Sequence, residues 1–149
     1  MTTAHTAPAA TSAWLTRLVA GIIGGLAGGL MFGVLMQMMG MIGMVAMLVG
    51  SSSVVIGWLV HLAISAFIGA TFALIFTRWA ARIPVALLLG AGYGIVWWVL
   101  GALLIMPARL GMPVFAINMT AAMSLMGHLI YGLVLGLVYG LVQHRSHKD

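Results

Sequence analysis

The sequence predicts an all-α integral membrane protein with four transmembrane helices, arranged as two parallel two-helix repeats. Hydrophobic residues make up 64% of the 149 residues and charged residues only 5%, whereas soluble proteins carry about a quarter charged residues. Four apolar runs reach the roughly 20 residues needed to span a bilayer. In addition, one helical pattern occurs twice, as His61-Ser65-Gly69-Phe72 and as His128-Gly132-Gly136-Tyr139. Positions four apart share a helix face, so each copy carries one histidine above small residues.

The elements follow in chain order. Residues 1–13 are small and mostly polar and are predicted to form a flexible tail. The transmembrane domain covers 14–143, with repeats at about 14–79 and 80–143 and spans at 14–39, 54–76, 84–106 and 117–142, and a tail of 144–149 follows. Pro84 suits a first helical turn. Pro107 and Pro113 are predicted to end the third span and to shape the loop after it.

The methionine-rich stretch 38–47 continues the first span without a polar residue until Ser51. A short interfacial or re-entrant helix on the outer side would accommodate it, and so would one long tilted helix. The corresponding stretch 106–119 contains two prolines and an arginine. The repeat therefore favours a short outer segment in each copy.

Charge predicts orientation and excludes several kinds of chemistry. Most basic residues flank one side of the four spans and only Arg109 the other; the first group is Arg17, Arg78, Arg82, Arg145 and Lys148. Both termini should therefore face the cytoplasm. The net charge of +5 is explained by this placement, so the expected partner is the lipid bilayer and not nucleic acid. Asp149 is the only acidic residue and there is no cysteine, so paired-carboxylate and thiol catalysis are excluded. We expect no enzyme.

Small residues recur every four positions in several spans, where they permit close approach of helix backbones in lipid. The predicted packing positions are Gly21, Gly25, Gly29, Gly33, Gly69, Gly132, Gly136 and Gly140. They indicate packing inside one four-helix bundle, or a homo-oligomeric interface, or the wall of a pore.

His61 and His128 are the ionisable side chains well inside the predicted spans. Three interpretations stay open: neutral imidazoles hydrogen-bonded to neighbours, axial ligation of a haem, and proton relay. Ser65, Ser124 and Gln37 are the candidate partners. The methionines add a copper hypothesis, because thioethers with imidazole suit Cu(I). However, the stripe of Met119, Met123 and Met126 should point away from His128, so the expectation is no metal and no cofactor.

From His61 to the last span the chain resembles the YagU-like bacterial inner-membrane proteins, an uncharacterised family. The shared pieces are His61 with Ser65, a basic turn ending in Ile83-Pro84, Met106-Pro107, Leu110-Gly111, Pro113-Val114-Phe115 and Ser124-Leu-Met-Gly127-His128-Leu129. The resemblance implies a location in the bacterial plasma membrane and a part in acid tolerance.

The function expected from these observations is that of a non-enzymatic bacterial plasma-membrane protein. It would serve in the envelope, in acid stress, or as an accessory subunit of a membrane complex. One alternative is a haem- or copper-binding redox subunit that uses His61 and His128. Another is a small-solute channel or transporter formed by a homo-oligomer.

Overall fold

The computed structural model describes residues 10–146, and this part of the chain is helical and contains no strand. The elements are α1 (Ala10–Met38), α2 (Ile42–Met47), α3 (Val54–Phe76), α4 (Ile83–Trp97), a π-helical segment (Trp98–Ile105), α5 (Met106–Arg109) and α6 (Met119–Ser146). Four continuous helices are long and apolar enough to cross a membrane: Ala13–Met38, Val54–Phe76, Ile83–Arg109 and Met119–Arg145. The prediction of an all-helical chain with four spans is thus confirmed for the described residues. Of the predicted tails, residues 10–13 belong to α1 and residues 144–146 to α6, so the helices extend further than predicted, and the remaining residues lie outside the described part.

Side-chain caps and one glycine determine where the helices begin and end. Ser53 accepts a hydrogen bond from the Ile56 N–H at the start of α3. Asn118 Oδ1 accepts one from the Ala121 N–H at 2.9 Å, so α6 begins at Met119 rather than at the predicted 117. Gly40 has φ 70° and turns the chain between α1 and α2. Residues 38–47 therefore do not continue α1 as one long tilted helix, and that alternative was wrong.

The third spanning helix passes through Pro107, contrary to prediction. Pro107 lies in the first turn of α5, which continues directly from the π-helical segment and ends at Arg109. Proline has no N–H, so a carbonyl in the preceding turn loses its donor within the helix. The loop after α5 folds back here, and the Phe115 N–H donates to Leu103 O at 2.8 Å. The helix therefore continues past the proline with help from the following loop, which contains Pro113.

The four spans pack in the order α3, α1, α6, α4. Trp14, Arg17 and Thr77 line one shallow depression, which places the start of α1 beside the end of α3. The Tyr139 hydroxyl donates to Thr77 Oγ1 at 3.1 Å, which places the last turns of α6 there too. We call this the basic end, because it carries Arg17, Arg78, Arg82 and Arg145.

Glycines bring the helix backbones into direct contact at each of the three interfaces. A Cβ at Gly21 would overlap the Gly69 carbonyl oxygen, and one at Gly90 would overlap that of Gly132. The other predicted packing glycines also meet neighbouring helices of the same chain: Gly25 and Gly29 at Ser65, Gly33 at Trp58, Gly136 at Ala86, and Gly140 at Ile83. Such close approach maximises van der Waals contact, on which helix association in lipid depends.

The gap between α3 and α4 differs at its two ends. Toward the basic end, Phe72, Tyr93 and Tyr139 are buried against one another, and Phe72 is 5.5 Å from each of the other two ring centroids. The Thr71 hydroxyl and the Tyr93 hydroxyl are hydrogen-bonded at 2.7 Å across the gap. Toward the opposite end no such side chains of the described residues fill the gap between α3 and the third spanning helix, and a cavity lies there.

Candidate functional site: a cavity with two histidines

A cavity of about 660 Å³ lies between α3 and the π-helical segment, in the half of the bundle away from the basic end. Its wall is mostly apolar, and its polar side chains are His61, Ser65, Asn118, Thr120, Ser124, His128 and Tyr131. Eight of the lining residues are exposed. Three lie on spanning helices, namely Ile64 (40%), Phe67 (60%) and Ile105 (49%), and five lie in the loop after α5 or at the start of α6, namely Met112, Pro113, Ala116, Asn118 and Thr120. The first three belong to membrane-spanning helices, so one side of the cavity mouth faces the lipid, and the loop after α5 borders the other side.

His61 connects α3 to α1 and is only 7% exposed. Its Nε2 lies 2.8 Å from the Gly29 carbonyl oxygen. A carbonyl oxygen only accepts, so Nε2 carries a proton. A buried imidazole in a chain whose only acidic residue is Asp149 has no carboxylate beside it among the described residues to stabilise a charge, so the ring is neutral and Nδ1 holds the lone pair. The small residues of α1 position this bond, because Gly29 and Gly33 admit the α3 side chains to the α1 backbone. His61 is thus a neutral, hydrogen-bonded imidazole at the cavity wall.

His128 bonds within its own helix instead. Its Nδ1 lies 2.8 Å from the Ser124 carbonyl oxygen, so this nitrogen carries a proton. This ring too has no carboxylate beside it in the described part of the chain, so it is neutral and Nε2 holds the lone pair. The two histidines, although they occupy equivalent places in the repeated pattern, therefore use opposite tautomers and different partners.

Neither serine beside a histidine is set up as a nucleophile. Ser65 Oγ donates its proton to the His61 carbonyl oxygen at 2.7 Å. Ser124 Oγ is 3.4 Å from His128 Nδ1, and that nitrogen is already protonated, so it has no lone pair to receive the serine proton. General-base activation requires an unprotonated acceptor within reach of the hydroxyl.

The other predicted partners contact different groups. Gln37 Oε1 accepts from Trp58 Nε1 at 3.1 Å rather than from a histidine. Tyr131, which sequence reasoning missed, donates its hydroxyl proton to the Ser65 carbonyl at 2.7 Å and joins α6 to α3. Tyr131 follows His128 by three residues, so the two side chains lie on the same face of α6. This spacing could have identified Tyr131 from the sequence.

One phenyl ring contacts both imidazoles. The Phe32 centroid is 5.5 Å from that of His61 and 4.8 Å from that of His128, both edge-to-face. A haem held by both histidines would need its macrocycle between the two rings, with a nitrogen of each directed at the iron. Phe32 packs against both imidazoles, so a macrocycle that met both rings here would have to displace this side chain. The arrangement does not fit haem ligation.

Two sets of methionines bear on the copper hypothesis. Met119, Met123 and Met126 are exposed on α6. A different set lines the cavity with the histidines, namely Met36, Met41, Met44, Met106 and Met112. Sequence reasoning missed this set, although Met36 stands four residues after Phe32 and so shares its helix face. Among the described residues no three His, Cys, Asp or Glu side chains cluster as a metal site, and any metal here would depend on thioethers.

The fold and site together define a class: a multi-pass, all-α membrane protein whose four helices enclose a mostly apolar cavity with two neutral histidines. Residues 15–149 match the model of a family of unknown function, DUF6789, and the chain belongs to that family. No curated protein and no solved structure matches it. The resemblance to the YagU-like proteins stays a prediction.

Proposed function

We propose that this protein is a non-enzymatic membrane protein that binds a small apolar molecule in the cavity between α3 and the π-helical segment. The observation that carries the proposal is the cavity itself, at about 660 Å³ and with a mostly apolar wall. Ligand sites in proteins typically measure about 300–1,000 Å³ and combine an apolar lining with a few polar groups. The absence of an activated serine beside either histidine supports binding rather than catalysis.

The ligand enters from the bilayer. Ile64 and Phe67 of α3 and Ile105 of the π-helical segment form the lipid-facing side of the mouth. A molecule dissolved among acyl chains reaches such a mouth without entering water. Toward the basic end, the buried rings of Phe72 and Tyr93 fill the bundle, which favours a closed binding site over a pore through one chain.

The π-helical segment is a second feature in support. Trp98–Ile105 forms one side of the cavity, through residues that include Gly101, Ala102 and Leu103. π-Helical turns are rare and occur frequently at functional sites. Gly101 lines the cavity and has no neighbour within 4 Å of the place where a Cβ would stand, so a larger side chain fits there without a clash.

Photolabelling in lipid nanodiscs tests the proposal. The probe is a phenyl diazirine with a decyl chain, and unlabelled decylbenzene is the competitor. We expect saturable labelling of peptides containing Ile64–Ile68 and Gly101–Ile105. Gly101→Leu, which adds a side chain at a cavity-lining position, should reduce the saturable part. Gly92→Leu is the matched control, because Gly92 lies on the same spanning helix, has open space around it and does not line the cavity. Labelling that decylbenzene does not compete would refute the proposal.

A second function, Cu(I) binding, has one specific observation in its favour: five thioethers and two imidazoles line one cavity. Both are soft ligands that Cu(I) accepts. Competition with a chromogenic chelator measures the affinity of the protein for Cu(I). Met36→Leu, in the cavity, should lower this affinity, and Met119→Leu, on the exposed face of α6, is the control. Equal affinity in both variants and in the parent would refute copper binding at this cavity.

We also propose that the protein lies in the bacterial plasma membrane, with both of its termini in the cytoplasm. Its support is the gathering of Arg17, Arg78, Arg82 and Arg145 at the basic end, with Arg109 alone at the other. The cavity would then open in the outer half of the bilayer. Equivalent glycine contacts in the α1–α3 and α4–α6 pairs support two parallel repeats.

A further inference from the structure

Each cavity histidine presents one nitrogen without a partner. His61 Nε2 and His128 Nδ1 donate to the carbonyls of Gly29 and Ser124. The opposite nitrogens, His61 Nδ1 and His128 Nε2, receive no hydrogen bond from any group in the described part of the chain. Both are acceptors, because a neutral imidazole has one N–H and one lone pair. Neither belongs to the buried side-chain atoms that are sealed off without a partner, which are Trp97 Nε1 and Gln143 Nε2.

An acceptor in an apolar wall is costly when nothing donates to it. Two such acceptors stand on different helices, α3 and α6, beside the same Phe32 ring. A ligand that donates two hydrogen bonds would satisfy both, whereas a purely apolar ligand would leave both unpaired.

The side chains that line the cavity indicate the shape of the ligand that would donate these hydrogen bonds. Phe32, Phe67 and Trp97 contribute aromatic rings to the wall, and Phe67 and Trp97 meet edge-to-face at 6.5 Å. Five methionine thioethers also line the cavity. Aromatic edges and sulfur atoms pack well against a flat ring. The lipid-facing mouth leaves room for an alkyl tail to extend into the bilayer.

We infer that the ligand is a lipid-soluble hydroquinone, whose ring lies in the cavity and whose hydroxyls donate to His61 Nδ1 and His128 Nε2. This inference rests on the proposed function and adds the chemistry of the ligand's headgroup. Binding alone is inferred; no electron transfer is included.

The test compares decylhydroquinone with its dimethyl ether, which keeps the ring and tail but has no donor. Under anaerobic conditions both compete with the decyl diazirine probe in nanodiscs. We expect decylhydroquinone to compete at a concentration at least about 5-fold lower than the ether, the factor for about one net hydrogen bond. His61→Phe and His128→Phe, which keep a ring but remove the acceptor, should each reduce that preference.

Tyr139→Phe is the control, because its hydroxyl bonds to Thr77 at the basic end, away from the cavity. Equal competition by the hydroquinone and its ether in the wild type overturns this inference and leaves apolar binding intact. Absence of saturable probe labelling instead overturns the proposed function. If His61→Phe does not fold, the wild-type comparison and His128→Phe still test the inference. His128→Phe removes only a bond within α6, so it leaves the contacts between helices in place.

Discussion

The backbone contact between α4 and α6 predicts different stabilities for two glycine-to-alanine variants in the same helix. At Gly90 a Cβ would overlap the Gly132 carbonyl oxygen, whereas at Gly92, two residues later, it would meet nothing within 4 Å. Both glycines lie in α4 (Ile83–Trp97). Gly90→Ala and Gly92→Ala therefore gain the same helix propensity, about 1 kcal/mol in soluble helices, and this gain cancels when the two variants are compared.

What remains is the overlap at Gly90. The obstructing atom is backbone, so no change of rotamer relieves it, and the two helices must separate. Overpacking of this kind costs about 1–3 kcal/mol. We expect Gly90→Ala to unfold with a free energy about 1–3 kcal/mol lower than Gly92→Ala.

Unfolding by sodium dodecyl sulfate in mixed micelles, followed by far-UV circular dichroism and tryptophan fluorescence, measures the difference. Coincident transitions by the two probes would establish two-state behaviour. Equal stability of the two variants, or a more stable Gly90→Ala, would refute the close approach of α4 and α6 and with it the packing that forms the cavity wall.

Three further predictions follow from the hydrogen bonds and from the sequence. His61→Leu should lower the free energy of unfolding by about 1 kcal/mol more than His128→Leu, because only His61 bonds to another helix; the same micelle titration measures it, and an equal loss would contradict the assignment. Tyr131→Phe removes the hydroxyl that joins α6 to α3 and should cost about 0.6–1.7 kcal/mol in that assay, so an unchanged midpoint would count against this bond. Since the chain has no cysteine, Ser52→Cys should react with a membrane-impermeant maleimide in intact cells and Ala81→Cys only after permeabilisation; the reverse pattern would overturn the proposed orientation.

Much of the fold was predictable because the signals are local. Composition and run length identify a membrane protein with four spans, since a bilayer demands about 20 apolar residues from each helix. The second span began and ended where the sequence predicted it, at Val54 and Phe76. Pro84 also lies in a first helical turn as expected. The prediction that the third span ends at Pro107 was wrong. It considered only the residues next to the proline, whereas the N–H of the loop residue Phe115 bonds to a carbonyl of the preceding turn and stabilises the helix.

The sequence by itself determined the class of protein, the number of its spans, the absence of cysteine and carboxylate chemistry, and the two histidines worth testing. Only the tertiary structure decided what surrounds them. Whether Phe32 reaches both imidazoles, which methionines line the cavity, and which nitrogen of each histidine stays free depend on how each helix is rotated about its axis and where the helices cross. Those quantities arise from contacts between residues far apart in the chain, such as Gly29 with His61 and Tyr131 with Ser65, and periodicity along one helix does not contain them.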